Sequence, residues 1–259
     1  MRVANMRYRS AITIMAFLLS LACSQGRNPA PATGSWDGNV QVHGALHAML
    51  HEGQTGPNVS LDSLLPDPDL YALGALAELS GEVTIVRGKV YLSYPAGDTT
   101  RTETPARTNA AATLFVSSRV ASWRSVSTKR LIAFEDLDEE IAKLATEAGI
   151  SRDDRFPFLL EGDFEDLEWH VVDGRRMTAG GTSHQDHKSA AVNARRDRAS
   201  ATLVGFYSQS DQGVFTHTGS RTHVHCVLDD PLVTGHVDHV VIPAGTTLRF
   251  PVVGSFGYR

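Results

Sequence analysis

A chain of 259 residues with 42% apolar and 20% charged side chains is long enough to bury a substantial core, and its composition is that of an ordinary globular protein. A formal net charge of −5, with no basic stripe along the chain, argues against nucleic acid as a partner. Two cysteines, Cys23 and Cys226, exclude a disulfide-built scaffold.

The first 22 residues read as a signal peptide. Arg2, Arg7 and Arg9 form a positive segment, followed over residues 11–21 by an apolar run too short to span a bilayer. The run ends at Leu19-Ser20-Leu21-Ala22-Cys23-Ser24, which resembles a bacterial lipobox with Cys23 as the residue to be acylated. Ser20 stands where leucine is commoner, so plain cleavage and secretion is the alternative. Either way the mature chain is expected outside the cytoplasm, as a periplasmic or cell-envelope lipoprotein that touches a membrane only through Cys23. An acylated Cys23 leaves Cys226 unpaired, so no disulfide is expected. Residues 23–39, rich in Pro, Gly, Ser and Ala, read as a flexible tether.

The domain proper is expected over residues 40–259. Apolar residues at helical spacing predict a short helix over 42–50, with His43, His47 and His51 four apart on one face. That face reads as solvated or packed rather than as a ligand set. Residues 83–86 and 89–92 predict a hairpin closed at Arg87-Gly88. Glu82 begins its first strand, and nothing in the local sequence singles it out.

Further strands are predicted over 111–116 and 120–123. Residues 134–149 form the clearest helix, with Leu137, Ile141, Leu144 and Ala148 as its stripe and Gly149 as its stop. Its acidic first turns read as a solvated face. Residues 156–160 and 167–172 read as two strands around Glu161-Gly162-Asp163. Residues 178–200 read as a long polar loop carrying His184 and His187, and residues 201–207 as a strand. The class is therefore α+β: mostly β, with few helices and two mixed or antiparallel sheet-bearing halves near 40–150 and 151–259.

The chemistry concentrates near the C-terminus. Thr222-His223-Val224-His225-Cys226-Val227-Leu228 and Gly235-His236-Val237-Asp238-His239 read as two strands joined at Asp229-Asp230-Pro231. Alternate side chains share a strand face, so His223 and His225 point one way while Cys226 packs as a small hydrophobe on the other. His236 returns beside them on the next strand. Three imidazoles on two adjacent strands can hold a divalent ion with one position open, the pattern of a catalytic zinc site. His217 and His239 are spare candidates.

Leu203-Val204-Gly205-Phe206-Tyr207-Ser208, His223-Val224-His225, Asp229-Asp230 and Gly235-His236-Val237 together resemble the C-terminal half of α-acetolactate decarboxylases. The segment over residues 74–91 resembles that family's Gly-Thr-Phe and Gly-Leu-Asp-Gly-Glu region, and residues 158–172 resemble its arginine-bearing strand. The resemblance implies that His223, His225 and His236 hold Zn2+. It also implies that Glu82 is the carboxyl handling a proton, and that a small 2-hydroxy-3-keto acid is the substrate. The implied reaction is decarboxylation of 2-acetolactate, or a close relative, to acetoin through a metal-stabilised enediolate, with no organic cofactor. A homodimer is a further expectation.

The chain departs from the family pattern in places. His170, preceded by Trp169, stands where the family has its active-site arginine, with Arg175 and Arg176 nearby as substitutes. Ala75 stands for a threonine. The chain also ends at Arg259, short of the family's tail carboxylate. These departures keep open a catalytically impaired zinc-binding lipoprotein of the same fold. A cupin-like metalloenzyme is the other alternative, with Asp229 or Asp230 near its glutamate position.

Overall fold

Alternation of apolar and polar side chains along short runs dictates strands rather than helices over most of this chain. The computed structural model describes residues 34–64, 66–177 and 189–254. Residues 1–22, read above as a signal peptide, and Cys23, His184 and His187 lie outside them. All described residues belong to one compact unit.

In order, the elements are β1 (Gln41–His43), α1 (Leu46–Glu52), β2 (Val59–Ser60), β3 (Leu70–Leu76), β4 (Glu82–Val86), β5 (Lys89–Ala96), β6 (Thr99–Glu103), β7 (Ala111–Arg119) and β8 (Trp123–Ser127). They continue with α2 (Leu137–Glu147), β9 (Phe156–Val171), β10 (Val192–Tyr207), β11 (Thr222–Asp229), β12 (Leu232–Val241) and β13 (Thr247–Pro251). The first sheet runs β1-β7-β3-β4-β5-β6, with β2 against β7; the second runs β10-β11-β12-β9-β13-β8. Every pairing within the two sheets is antiparallel. The first sheet is built from β1–β7 and the second from β9–β13, with β8 joining the second through β13. Because β10 also pairs with β9, strands β9, β10, β11 and β12 close on themselves.

The first sheet separates two cores. On β4, Val83 and Ile85 face a cluster with Leu70, Ala72, Val90 and Leu92, whereas Glu82 and Thr84 point toward the second sheet. The larger core joins Leu73, Leu114 and Val116 of the first sheet to Phe156, Phe158, Leu160, Trp169, Leu203 and Phe206 of the second. Gly205 is required here: a Cβ would stand 2.2 Å from the Phe158 ring. Filling that notch with Phe158 is worth roughly 1.5–3 kcal/mol of apolar burial.

Several expectations need correction. β9 is one continuous strand of 16 residues, not a pair around Glu161-Gly162-Asp163. β10 matches it along that length, so residues 192–200, read as loop, are strand. The composition misleads because this stretch is solvated and held by cross-strand ion pairs. Arg195 meets Glu168 at 3.0 Å, and Arg198 meets Glu165 at 2.9 Å.

The strand expected over 120–123 begins only at Trp123. His43 ends β1 and is not on the helix. The stretch read as tether is already packed at Trp36, whose Nε1–H donates to Ser118 Oγ at 2.8 Å. Finally, the acidic start of α2 is not simply solvated. Asp138 accepts from the Thr222 hydroxyl and the Arg221 backbone N–H, each at 2.7 Å, and so anchors the start of β11.

Candidate metal centre

The β11–β12 hairpin sets His225 opposite His236, and the other edge of β12 sets His236 opposite His170 of β9. Registered neighbours share a sheet face, and so does His223, two residues before His225. Strand β12 can come this close because Gly235 has no side chain: a Cβ there would lie 2.5 Å from the His170 carbonyl. The ring centroids stand 4.7 Å apart for His223 and His236, 5.2 Å for His223 and His225, and 5.6 Å for His225 and His236. One ligand atom from each of these three histidines lies within 4.8 Å of the other two.

Two of the rings are fixed by their Nδ1 atoms. His223 Nδ1–H donates to the Phe215 carbonyl at 2.8 Å, and His225 Nδ1 bonds Thr84 Oγ1 at 2.9 Å. The Phe215 carbonyl sits in a turn braced by Asp211, whose two carboxylate oxygens accept from the Arg155 guanidinium. His225 Nε2 is buried and has no hydrogen-bond partner. Burying such a group unpaired costs about 1–3 kcal/mol. A divalent cation among the three imidazoles removes that cost, so the donor set fits a metal. Burial pushes the His223 imidazolium down to about 3, and holds His225 and His236 well below the usual histidine range. The rings are therefore neutral, the form that binds metals.

Glu82 reaches this centre from the first sheet. Its Oε2 lies 3.9 Å from His225 Nε2, and its Oε1 accepts from the Val172 N–H at 3.3 Å. Burial raises its carboxyl to about 8, opposed by the nearby His170. Occupation of the imidazoles by a dication opposes that rise further. His170 is held through Nδ1 by Asp238 Oδ2 at 2.8 Å, and its ring stands 4.8 Å from that of His236. Glu82, His170, Asp238, His217, His223 and His236 all border a cavity of about 270 Å³.

The five predicted site residues, Glu82, His170, His223, His225 and His236, are thus brought together. Of the spare candidates, His217 joins them, its ring 5.2 Å from His236, whereas His239 packs against Phe134 at 5.6 Å. Arg175 and Arg176 do not enter the cavity. Arg175 forks onto Asp173, and Arg176 bonds Asp98 and the Gly97 carbonyl. Asp229 and Asp230 lie exposed at the far end of the hairpin, away from the triad, which removes the ligand the cupin-like alternative needed. Cys226 faces away as expected, and burial raises its thiol to about 12.

Sequence reasoning missed Thr84, Asp238 and Asp138. The first two sit two residues beyond Glu82 and His236, so strand alternation could have found them. Asp138 comes from a helix distant in sequence and gave no signal.

The family model for alpha-acetolactate decarboxylase matches residues 43–256. No curated protein matches the chain. Among solved structures, the chain is similar to alpha-acetolactate decarboxylase from Bacillus subtilis strain 168, at 16% identity over 82% of this chain and 85% of that one, with a TM-score of 0.63. It is similar also to a Staphylococcus aureus protein described as of unknown function and similar to alpha-acetolactate decarboxylase. That match has 16% identity over 82% of this chain and 84% of that one, with a TM-score of 0.62. At such identity the structures speak for the fold, and the family model, spanning most of the length, speaks for descent. The chain belongs to the alpha-acetolactate decarboxylase family.

Proposed function

We propose that this chain decarboxylates 2-acetolactate, or a close 2-hydroxy-3-keto acid, to acetoin, with zinc held by His223, His225 and His236. The observation that carries the reading is the buried, partnerless Nε2 of His225 converging with two further imidazoles beside a cavity. A divalent ion bound there supplies Lewis-acid stabilisation for the charge left when the carbon–carboxylate bond breaks. The protein's own groups do the rest. Carbon dioxide leaves, and the carbon it left must gain one proton; Glu82, buried beside the triad, is placed to hold that proton. His170, oriented by Asp238, offers a hydrogen-bonding ring to a substrate oxygen. Leu46, Met49, Leu50, Leu79 and Leu114 make much of the rest of the cavity lining apolar.

Acetoin release from racemic acetolactate by zinc-loaded protein, lost on His225→Ala, tests the reading. Protein that carries the metal and releases no acetoin sinks it. A second reading, metal binding without turnover, is favoured by one observation: among the described residues, no lysine or arginine lines the cavity. The same assay separates the two. We also place the chain in the cell envelope, on the strength of Arg2, Arg7, Arg9 and the run ending at Cys23. Incorporation of labelled fatty acid, abolished by Cys23→Ser, checks the anchor.

A further inference from the structure

The cavity has two unlike walls. One is the histidine and carboxylate surface of β4, β9, β11 and β12. The other comes from α1, the turn Ala77–Leu79 and β7, and presents Leu46, Met49, Leu50, Leu79 and Leu114. These elements touch one another, α1 and the turn each packing on β7, so the apolar wall is continuous.

Leu79 is held there against its backbone preference. Its φ is +50 and that of Glu78 is +57, in the left-handed region that L side chains rarely adopt, yet Leu79 is buried. Backbone strain persists where the surrounding structure demands it, and at ligand sites it commonly places a contact. Here it places an isobutyl group in the wall of the cavity. A wall of five apolar side chains is more than a single methyl group can cover. With no cationic side chain among the described lining residues, this end of the cavity suits hydrocarbon rather than a second charged group.

We infer that the site is shaped for 2-hydroxy-3-keto acids whose 2-alkyl group is longer than methyl, propyl or larger, with Leu50 and Leu79 setting the length accepted. The inference rests on the decarboxylase reading above and narrows its substrate.

The test assays zinc-loaded protein with the 2-methyl, 2-ethyl, 2-propyl and 2-butyl members of the series. Each methylene taken out of water is expected to raise kcat/KM about fourfold until the wall is reached. A flat or falling series from methyl upward, with the methyl acid still turned over, overturns this inference alone. Turnover of no member overturns the decarboxylase reading and this one with it. Leu50→Trp, which fills the cavity, is expected to lower the butyl-to-methyl ratio of kcat/KM about tenfold or more. Leu50→Ala, which enlarges it, is expected to move the optimum to a longer chain. Thermal unfolding of both variants verifies the fold. Folded variants with unchanged ratios overturn the assignment of length to this wall.

Discussion

Two histidine groups in this chain look alike in one dimension and differ in three. His43, His47 and His51 recur every four residues, and His223, His225 and His236 sit on a hairpin. In space the rings of His47 and His51 lie 5.2 Å apart, the same as those of His223 and His225. Spacing therefore does not separate them; surroundings do. The His47 side chain is 64% exposed, with Glu52 3.2 Å away, whereas His225 is fully buried and its Nε2 has no partner. A solvated imidazole gives up water to bind a cation and gains little. A buried imidazole with an orphaned nitrogen has already lost that water, and a cation restores the missing interaction.

The strongest way to break this comparison is to remove one ring of the buried group. His225→Ala is expected to abolish stoichiometric zinc binding and acetoin release together. The affinity loss should exceed the roughly 10–100-fold typical of losing an outer-shell partner. Elemental analysis and a competitive chelator titration measure it. Zinc retained at one per chain would mean that the three imidazoles are not the metal's holders.

Removing the ion is the next largest perturbation. Metal bound at about a thousand times its Kd stabilises the fold by about 4 kcal/mol. For a domain of this size that corresponds to a fall in Tm of roughly 10 °C on chelation. Calorimetry with and without a chelator reads it, and coincident transitions would show that the triad is empty or unnecessary to the fold.

A smaller effect sharpens the picture from the opposite sheet. Thr84→Val keeps the shape of the side chain but removes the hydroxyl that fixes the His225 ring. The expected loss is about tenfold or more in zinc affinity, with the fold retained. Unchanged affinity would show that packing alone orients His225.

The buried group was legible because its information is local. His223 and His225 share a face by strand alternation, and the Asp229-Asp230-Pro231 turn brings His236 back beside them. The arrival of His170 depended on a pairing of β9 with β12 across more than sixty residues of sequence, and that of Thr84 on a contact between sheets. The β9–β12 pairing leaves no local pattern, whereas Thr84 could be read by alternation only once Glu82 had been placed at the site. The continuous β9–β10 ladder was hidden for another reason. Its middle is stabilised by charges facing solvent, and the same composition describes a loop. Arg175 and Arg176 show the converse hazard. Nearness in sequence to His170 suggested a role in the site, yet both are held by partners outside the cavity.

The exposed group supplies the smallest effect and the cleanest control. α1 turns Leu46, Met49 and Leu50 toward the cavity and leaves His47 and His51 exposed. The double change His47→Ala, His51→Ala therefore touches only solvated surface. Stability should move by no more than about 0.5 kcal/mol, with zinc stoichiometry unchanged. Thermal unfolding and elemental analysis check both at once. A drop in bound zinc would place a second ion on the helix, and burial would then no longer be what distinguishes the two groups.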